Sequence, residues 1–183
     1  MFEGHWPGHT EEVVVKVYPE NNPLFVNDME GAKAASETKL GPKFYGEVQP
    51  PPPQRRGFVM SKVKGTFIVS DKELGRIADP AKQQAAKALI EKTRGAMGEH
   101  TLKDVENYSE ALVKKGYGYE GEVQGLVDEA GHWKPIDFQS MRKLPDPAVD
   151  KAAYDAAVEL HKGFIKMEVD DLKAAMAVAG KKP

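Results

Sequence analysis

The sequence predicts an α+β fold: three main helices, a small antiparallel sheet and a long extended N-terminal arm. Three observations carry this reading. A sustained helical pattern runs from Pro147 to Val178, two β-rich runs flank a short Gly-containing turn at 128–131, and residues 20–57 show no sustained period while holding six of the chain's 13 prolines. The chain therefore divides into a Pro-rich arm at 1–57 with one strand at 12–18, and a small α+β domain at 58–183 ending in the helix 147–178. Hydrophobic residues make up 40% of the 183 positions, which suits a modest core with irregular chain attached.

Glu12 to Tyr18 (EVVVKVY) is β-branched and stopped by Pro19, the composition of a strand. From Glu20 onward, Asn21-Asn22-Pro23, Gly41-Pro42 and the prolines Pro50 to Pro53 punctuate the chain, while Phe25, Phe44 and Tyr45 are apolar anchors scattered along it. Disordered segments are usually poorer in aromatics, so the arm is expected to lie against its own body or a neighbour. Phe58–Val63 and Thr66–Val69 are short strand candidates. Ser70 to Glu73 matches a capping box for a short helix through Ile77.

Asp79-Pro80 then opens a helix over 81–94 with the thin stripe Ala81, Ala85, Ala88, Leu89 and Ile90. The next helix, 102–115, has the stripe Leu102, Val105, Tyr108 and Leu112, with Gly116 just past its end. Residues 116–121 read as a turn. Residues 122–127 and 132–138 form a hairpin in which Gly131 requires positive φ, Trp133 packs across onto Val123 or Leu126, and Pro135 marks an edge. The last helix opens on Asp146-Pro147 and closes at Gly180. Its apolar rows are Val149, Ala152, Ala156, Leu160, Phe164 and Met167, then Ile165, Val169, Leu172 and Met176. At about 1.5 Å per residue it spans roughly 45 Å, more than its own domain's core needs.

Net charge is −2, so no global field favours nucleic acid, and no nucleic-acid partner is expected. No apolar run reaches about 18 residues, so no membrane span is expected. Cysteine is absent, which removes disulfides, thiolate catalysis and Cys-based metal sites. The N-terminus lacks a basic region followed by an apolar one, so an intracellular, cytoplasmic location is expected, with an organelle as the alternative.

Phe2-Glu3-Gly4-His5-Trp6-Pro7-Gly8 resembles the F-x-G-H-F-P-G loop of hotdog-fold acyl dehydratases, a resemblance that implies a catalytic His5. In that family a long helix supplying an acidic partner follows the loop, whereas a strand is expected here. His5, His9, Glu11 and Glu12 carry metal-ligand chemistry, but Pro7 and Gly8 deny the two imidazoles a shared helical face. His161 reads as a helix-flank histidine at a packing boundary. Glu168, Asp170 and Asp171 read as a solvated acidic face without calcium-loop spacing. No phosphate-binding glycine loop or nucleophile elbow is present. Pro50 to Arg55 has the P-x-x-P-x-R order of polyproline ligands, or of a stiff spacer.

These features predict a non-catalytic structural or accessory subunit of a larger assembly, with other protein subunits as partners and no cofactor or metal. The candidate partner contacts are Phe25, Phe44, Tyr45, Pro50, Pro53, Arg55, Phe164 and Met176. The alternative is an enzyme or small-ligand protein whose site is built near 116–138 from residues such as Tyr117, Tyr119, Glu122 and His132.

Overall fold

The computed structural model describes residues 2–5, 10–49, 55–68 and 74–180, with only the backbone of Phe2, His5 and Arg55. The fold class is the expected α+β with small antiparallel sheets, but four helices build the described chain. A four-stranded antiparallel sheet has the order β1 (Phe2–His5), β2 (Glu12–Pro19), β4 (Arg55–Ser61), β3 (Phe44–Val48). In β2 the period of two puts Val14, Lys16 and Tyr18 on one face, opposite Met60, Phe58 and Arg56 of β4. All of that β2 row is buried, the lysine included.

Between β2 and β3 lies the main correction to the sequence reading. Residues 24–37 form helix α1 (Leu24–Glu37), not extended chain. Its buried face is Phe25, Asp28, Gly31, Ala32, Ala34 and Ala35. Only one of these is large and apolar and one is charged, so apolar periodicity passes over the helix. Phe25 wedges against Tyr18 and Phe58, with ring centroids 5.7 and 6.4 Å away. Gly31 lets α1 approach the segment after the hairpin: a Cβ there would stand 2.8 Å from the Cβ of Phe138. β4 runs through the boundary expected at 57/58, and its partner β2 comes from the expected arm.

Helix α2 (Pro80–Ala96) is capped as read: the Asp79 carboxylate accepts from the amides of Ala81 and Lys82. Its alanine stripe, however, is exposed, and the buried positions are Ile90, Thr93 and Arg94. Helix α3 (Glu99–Lys114) buries Leu102, Val105, Tyr108 and Leu112 as expected, and Gly116 follows with φ +78°. Residues 117–119 are strand β5 (Tyr117–Tyr119), paired with β8 (Met141–Lys143), where a turn was expected. The hairpin is β6 (Gln124–Val127) and β7 (Trp133–Asp137), with Gly131 at φ +87°. The Trp133 indole lies over Gly125, where a Cβ would meet it at 2.1 Å. Thr66 makes a lone bridge to Val127. The expected capping box at 70–73 lies outside the described residues.

The final helix, α4 (Lys151–Val178), begins four residues later than expected. The Asp146 carboxylate accepts from the Ala148 amide and the carbonyl of Asp146 from Val149 and Asp150, closing a turn. Asp150 then caps the helix by accepting from Ala153. Of its two apolar rows, Ile165, Val169, Leu172 and Met176 enter the core, while Val149, Leu160 and Met167 face solvent. One hydrophobic cluster joins Val14 and Phe58 of the sheet to Tyr108, Trp133 and Met176. No helix among the described residues is long and apolar enough to cross a membrane.

Candidate functional site

A cleft of about 410 Å3 opens between the four-stranded sheet and the β6–β7 hairpin. Val14 and Met60 line it from the sheet, Leu126 and Ile136 from the hairpin, so its walls are apolar. Lys16, Gln124 and Asp137 also line it, together with Glu3, Lys62 and Gln139.

Lys16 reaches this position because β2 alternates strictly, which turns its side chain onto the α1 face. Its Nζ donates to Asp28 Oδ2 at 3.0 Å, to Oδ1 at 3.3 Å and to the carbonyl of Ile136 at 3.3 Å. It also lies 6.0 and 5.6 Å from the ring centroids of Phe58 and Phe138. Asp28 is fully buried, and its carboxylate also accepts from the Tyr18 hydroxyl and, at 3.2 Å, from the amide of Phe138. One carboxylate therefore ties together β2, α1 and the segment after β7. Burial, and then the hydrogen bond to Asp28, hold the Tyr18 hydroxyl well above its usual range, so it acts as a donor. Asp137, a third exposed at its side chain, sets Oδ1 3.8 Å from Lys16 Nζ. The Lys16 ammonium thus stands between a sequestered carboxylate and one that faces the cleft.

Behind this cleft a second polar group is sealed in the core. His161 has no exposed surface. Its Nδ1 accepts from the Tyr119 amide at 3.1 Å, which leaves Nε2 to donate to Ser109 Oγ at 2.9 Å. Burial lowers its pKa to about 4, so the ring is neutral. Tyr119, also fully buried, donates to the carbonyl of Asp137 at 3.3 Å and lies 3.3 Å from the Tyr108 hydroxyl. His161 is thus a sealed internal partner, not the flank residue expected.

The acidic face on α4 also divides. Asp170 is exposed and pairs with Lys166, whereas Glu168 turns inward and accepts from Trp133 Nε1 at 2.7 Å. Burial raises the Glu168 pKa to about 7. It lines a small pocket with Asp171 and Glu122. Among the described residues no group of three His, Cys, Asp or Glu side chains is arranged to hold a metal alone.

The expected partner contacts do not form one surface. Phe25 and Met176 are buried in the core, and Phe44 and Phe164 pack against it. Phe25 and Phe44 do converge, both on Phe58. Tyr45 donates its hydroxyl to Glu11 at 2.8 Å. Pro50, Pro53 and the Arg55 side chain lie outside the described residues, as do Trp6 to His9. The alternative set also disperses: His132 pairs with Asp104 at 2.9 Å on the surface, Tyr119 is sealed in, and Glu122 faces the Glu168 pocket. Lys16, Asp28 and Asp137 escaped the sequence reading. The available signal was a lysine in the middle of a valine strand and an Asp-Phe pair directly after a hairpin.

No family model matches this chain, and no curated protein matches it. Solved structures with partial likeness include the bifunctional kinase-methyltransferase WbdD at 17% identity and TM-score 0.36, covering 93% of this chain and 41% of that one. Monomeric WbdD aligns at 18% identity and TM-score 0.35, covering 93% and 43%. WbdD crystallised with the kinase inhibitor LY294002 aligns at 18% and 0.35, covering 99% and 46%. The chain spans less than half the length of these proteins, and likeness at this level assigns it no activity.

Proposed function

We propose that the chain binds a magnesium–nucleotide in the apolar cleft, using the framework of a protein kinase without its carboxylate base. The observation that carries this is the buried Lys16–Asp28 pair facing Asp137 across one end of an apolar slot. Protein kinases place a strand lysine, paired to an acidic residue of the next helix, on the α/β-phosphates. An Asp-Phe-Gly aspartate and a catalytic-loop asparagine hold their metal ions. Here the strand is Val13-Val14-Val15-Lys16, the helix residue is Asp28, and Asp137-Phe138-Gln139 ends the hairpin. Gln124, at the start of β6 and on the cleft, corresponds to the asparagine.

The residues fit the ion. Magnesium is usually held by one or two protein oxygens together with substrate phosphates, and Asp137 and Gln124 supply that number at the cleft. Bound there, the ion would neutralise charge on the phosphates. Val14, Met60, Leu126 and Ile136 would enclose the base and exclude water, and Lys16 would carry the phosphate charge.

In the kinase pattern H-R-D-L-x-x-x-N the base stands five residues before the asparagine. Counting back from Gln124 gives Tyr119, whose buried hydroxyl is engaged by Asp137 and Tyr108. Binding without transfer accords with the non-catalytic role expected from the sequence, and departs from its expectation of no cofactor.

Thermal unfolding and calorimetry with ATP, with magnesium or with EDTA, test this reading. At a free-ligand concentration about 100 times Kd, magnesium–ATP stabilises by roughly 2.7 kcal/mol. Asp137→Asn is expected to leave the free protein's Tm unchanged and remove the magnesium-dependent part. No shift, or one indifferent to magnesium and to Asp137, overturns the proposal. Phosphoryl transfer at ordinary kinase rates, about 1–100 s−1, overturns its non-transferring half.

A further inference from the structure

Beyond the nucleotide cleft, the wall formed by Lys62 and Val63 has a second groove on its other side, of about 690 Å3. Five lysines line it from three places in the fold: Lys39 and Lys43 after α1, Lys62 and Lys64 after β4, and Lys134 on β7. Three carboxylates line it too, Glu11, Glu12 and Asp128, leaving a surplus of two positive charges in a chain whose net charge is −2.

The groove already binds carboxylates of its own chain. Lys43 Nζ meets Glu11 Oε1 at 2.5 Å, Lys62 Nζ meets Glu3 Oε2, outside the groove's lining, at 2.6 Å, and Glu12 lies 3.9 Å from Lys62 and 3.6 Å from Lys64. Asp128 is occupied by its own turn, where Oδ1 accepts from the amides of Ala130 and His132 at 2.9 Å each. Lys39 and Lys134 have no carboxylate within salt-bridge distance among the described residues. Lys39 is held in place by a left-handed backbone, φ +63°, and its amide donates to the Ser36 carbonyl at 3.0 Å.

We infer that this groove is a docking surface for an acidic peptide segment of a partner protein, with Lys39 and Lys134 as the free cationic contacts. Alternating charge favours a peptide over a nucleic acid. A phosphate backbone carries a charge at every nucleotide and would run over Glu11 and Glu12, whereas side chains of a peptide can leave those positions neutral. Weak, salt-sensitive affinity follows from the exposure of the lysines.

The test is fluorescence anisotropy of a fluorescein-labelled octapeptide in which Asp alternates with Gly, with the full chain at low ionic strength. Binding is expected, weakening as salt is added. The double substitution Lys39→Gln/Lys134→Gln weakens it about fivefold at unchanged Tm. Lys151→Gln/Lys166→Gln on α4, a control of equal charge, leaves it unchanged. Absence of binding at low salt, an equal loss in the control, or tighter binding of a single-stranded oligonucleotide that displaces the peptide overturns the inference. No nucleotide is present in this experiment, so its failure leaves the cleft proposal standing.

Discussion

Asp28→Asn is expected to lower stability by about 3–5 kcal/mol, because it strands the Lys16 ammonium in a buried site. For a chain of this size that corresponds to a fall in Tm of roughly 10 °C. The four hydrogen bonds converging on Asp28 all need an acceptor. An asparagine side chain offers one carbonyl oxygen and turns an NH2 toward either the ammonium or the Phe138 amide, donor against donor. Lys16→Met leaves Asp28 its bonds from Tyr18 and Phe138 but removes its charge partner, so it too is destabilising. Lys16→Met/Asp28→Leu, which replaces both charges with apolar groups, should lose less than Lys16→Met and Asp28→Leu added together, the cycle's four proteins being the parent, these two single variants and the double. Urea unfolding of the four proteins at neutral pH measures this. Asp28→Asn within about 1 kcal/mol of the parent would mean that the pair is not a sequestered one.

The same carboxylate explains what could and could not be read from the sequence. Elements held by apolar repetition were legible: Leu102, Val105, Tyr108 and Leu112 of α3, the valines of β2, and the hairpin around Gly131. Helix α1 was not, because it is fixed by a close approach at Gly31 and a buried charge at Asp28 rather than by a stripe of large side chains. The stripe on α2 misled for the opposite reason. Alanines at helical spacing report propensity without reporting burial, and all but Ile90 of that row are exposed. The cleft draws residues from β2, β4, β6 and the end of β7, separated by up to 120 positions in the Lys16–Ile136 contact, so spacing along the chain carries no trace of it. His161 and Glu168 looked like surface residues because helical spacing alone does not say which partner covers a flank. Ser109 on α3 and Trp133 on β7 supply those partners.

His161 and Glu168 also set opposing pH dependences, and separating them gives the second large effect. For Glu168 the folded pKa of about 7 lies above the ordinary 4.5, so between those values the folded chain binds more protons than the unfolded one. Its contribution is therefore fully present below about pH 4.5 and is lost as pH rises toward 7. For His161 the folded pKa of about 4 lies below the ordinary 6.5, so the unfolded chain binds more protons between them. That contribution is present above about pH 6.5 and is lost as pH falls toward 4. Over the shared window the two slopes oppose each other, and the parent's stability should change little on their account. Glu168→Gln removes one slope while keeping an acceptor for Trp133 Nε1. Relative to the parent, this variant should gain roughly 2–3 kcal/mol between pH 4.5 and pH 7.5. Other titrations common to both proteins cancel in that difference. Denaturant unfolding of the pair across this range gives the number directly. A difference that stays constant with pH would mean that Glu168 ionises normally, and that its contact with Trp133 leaves the carboxylate in water.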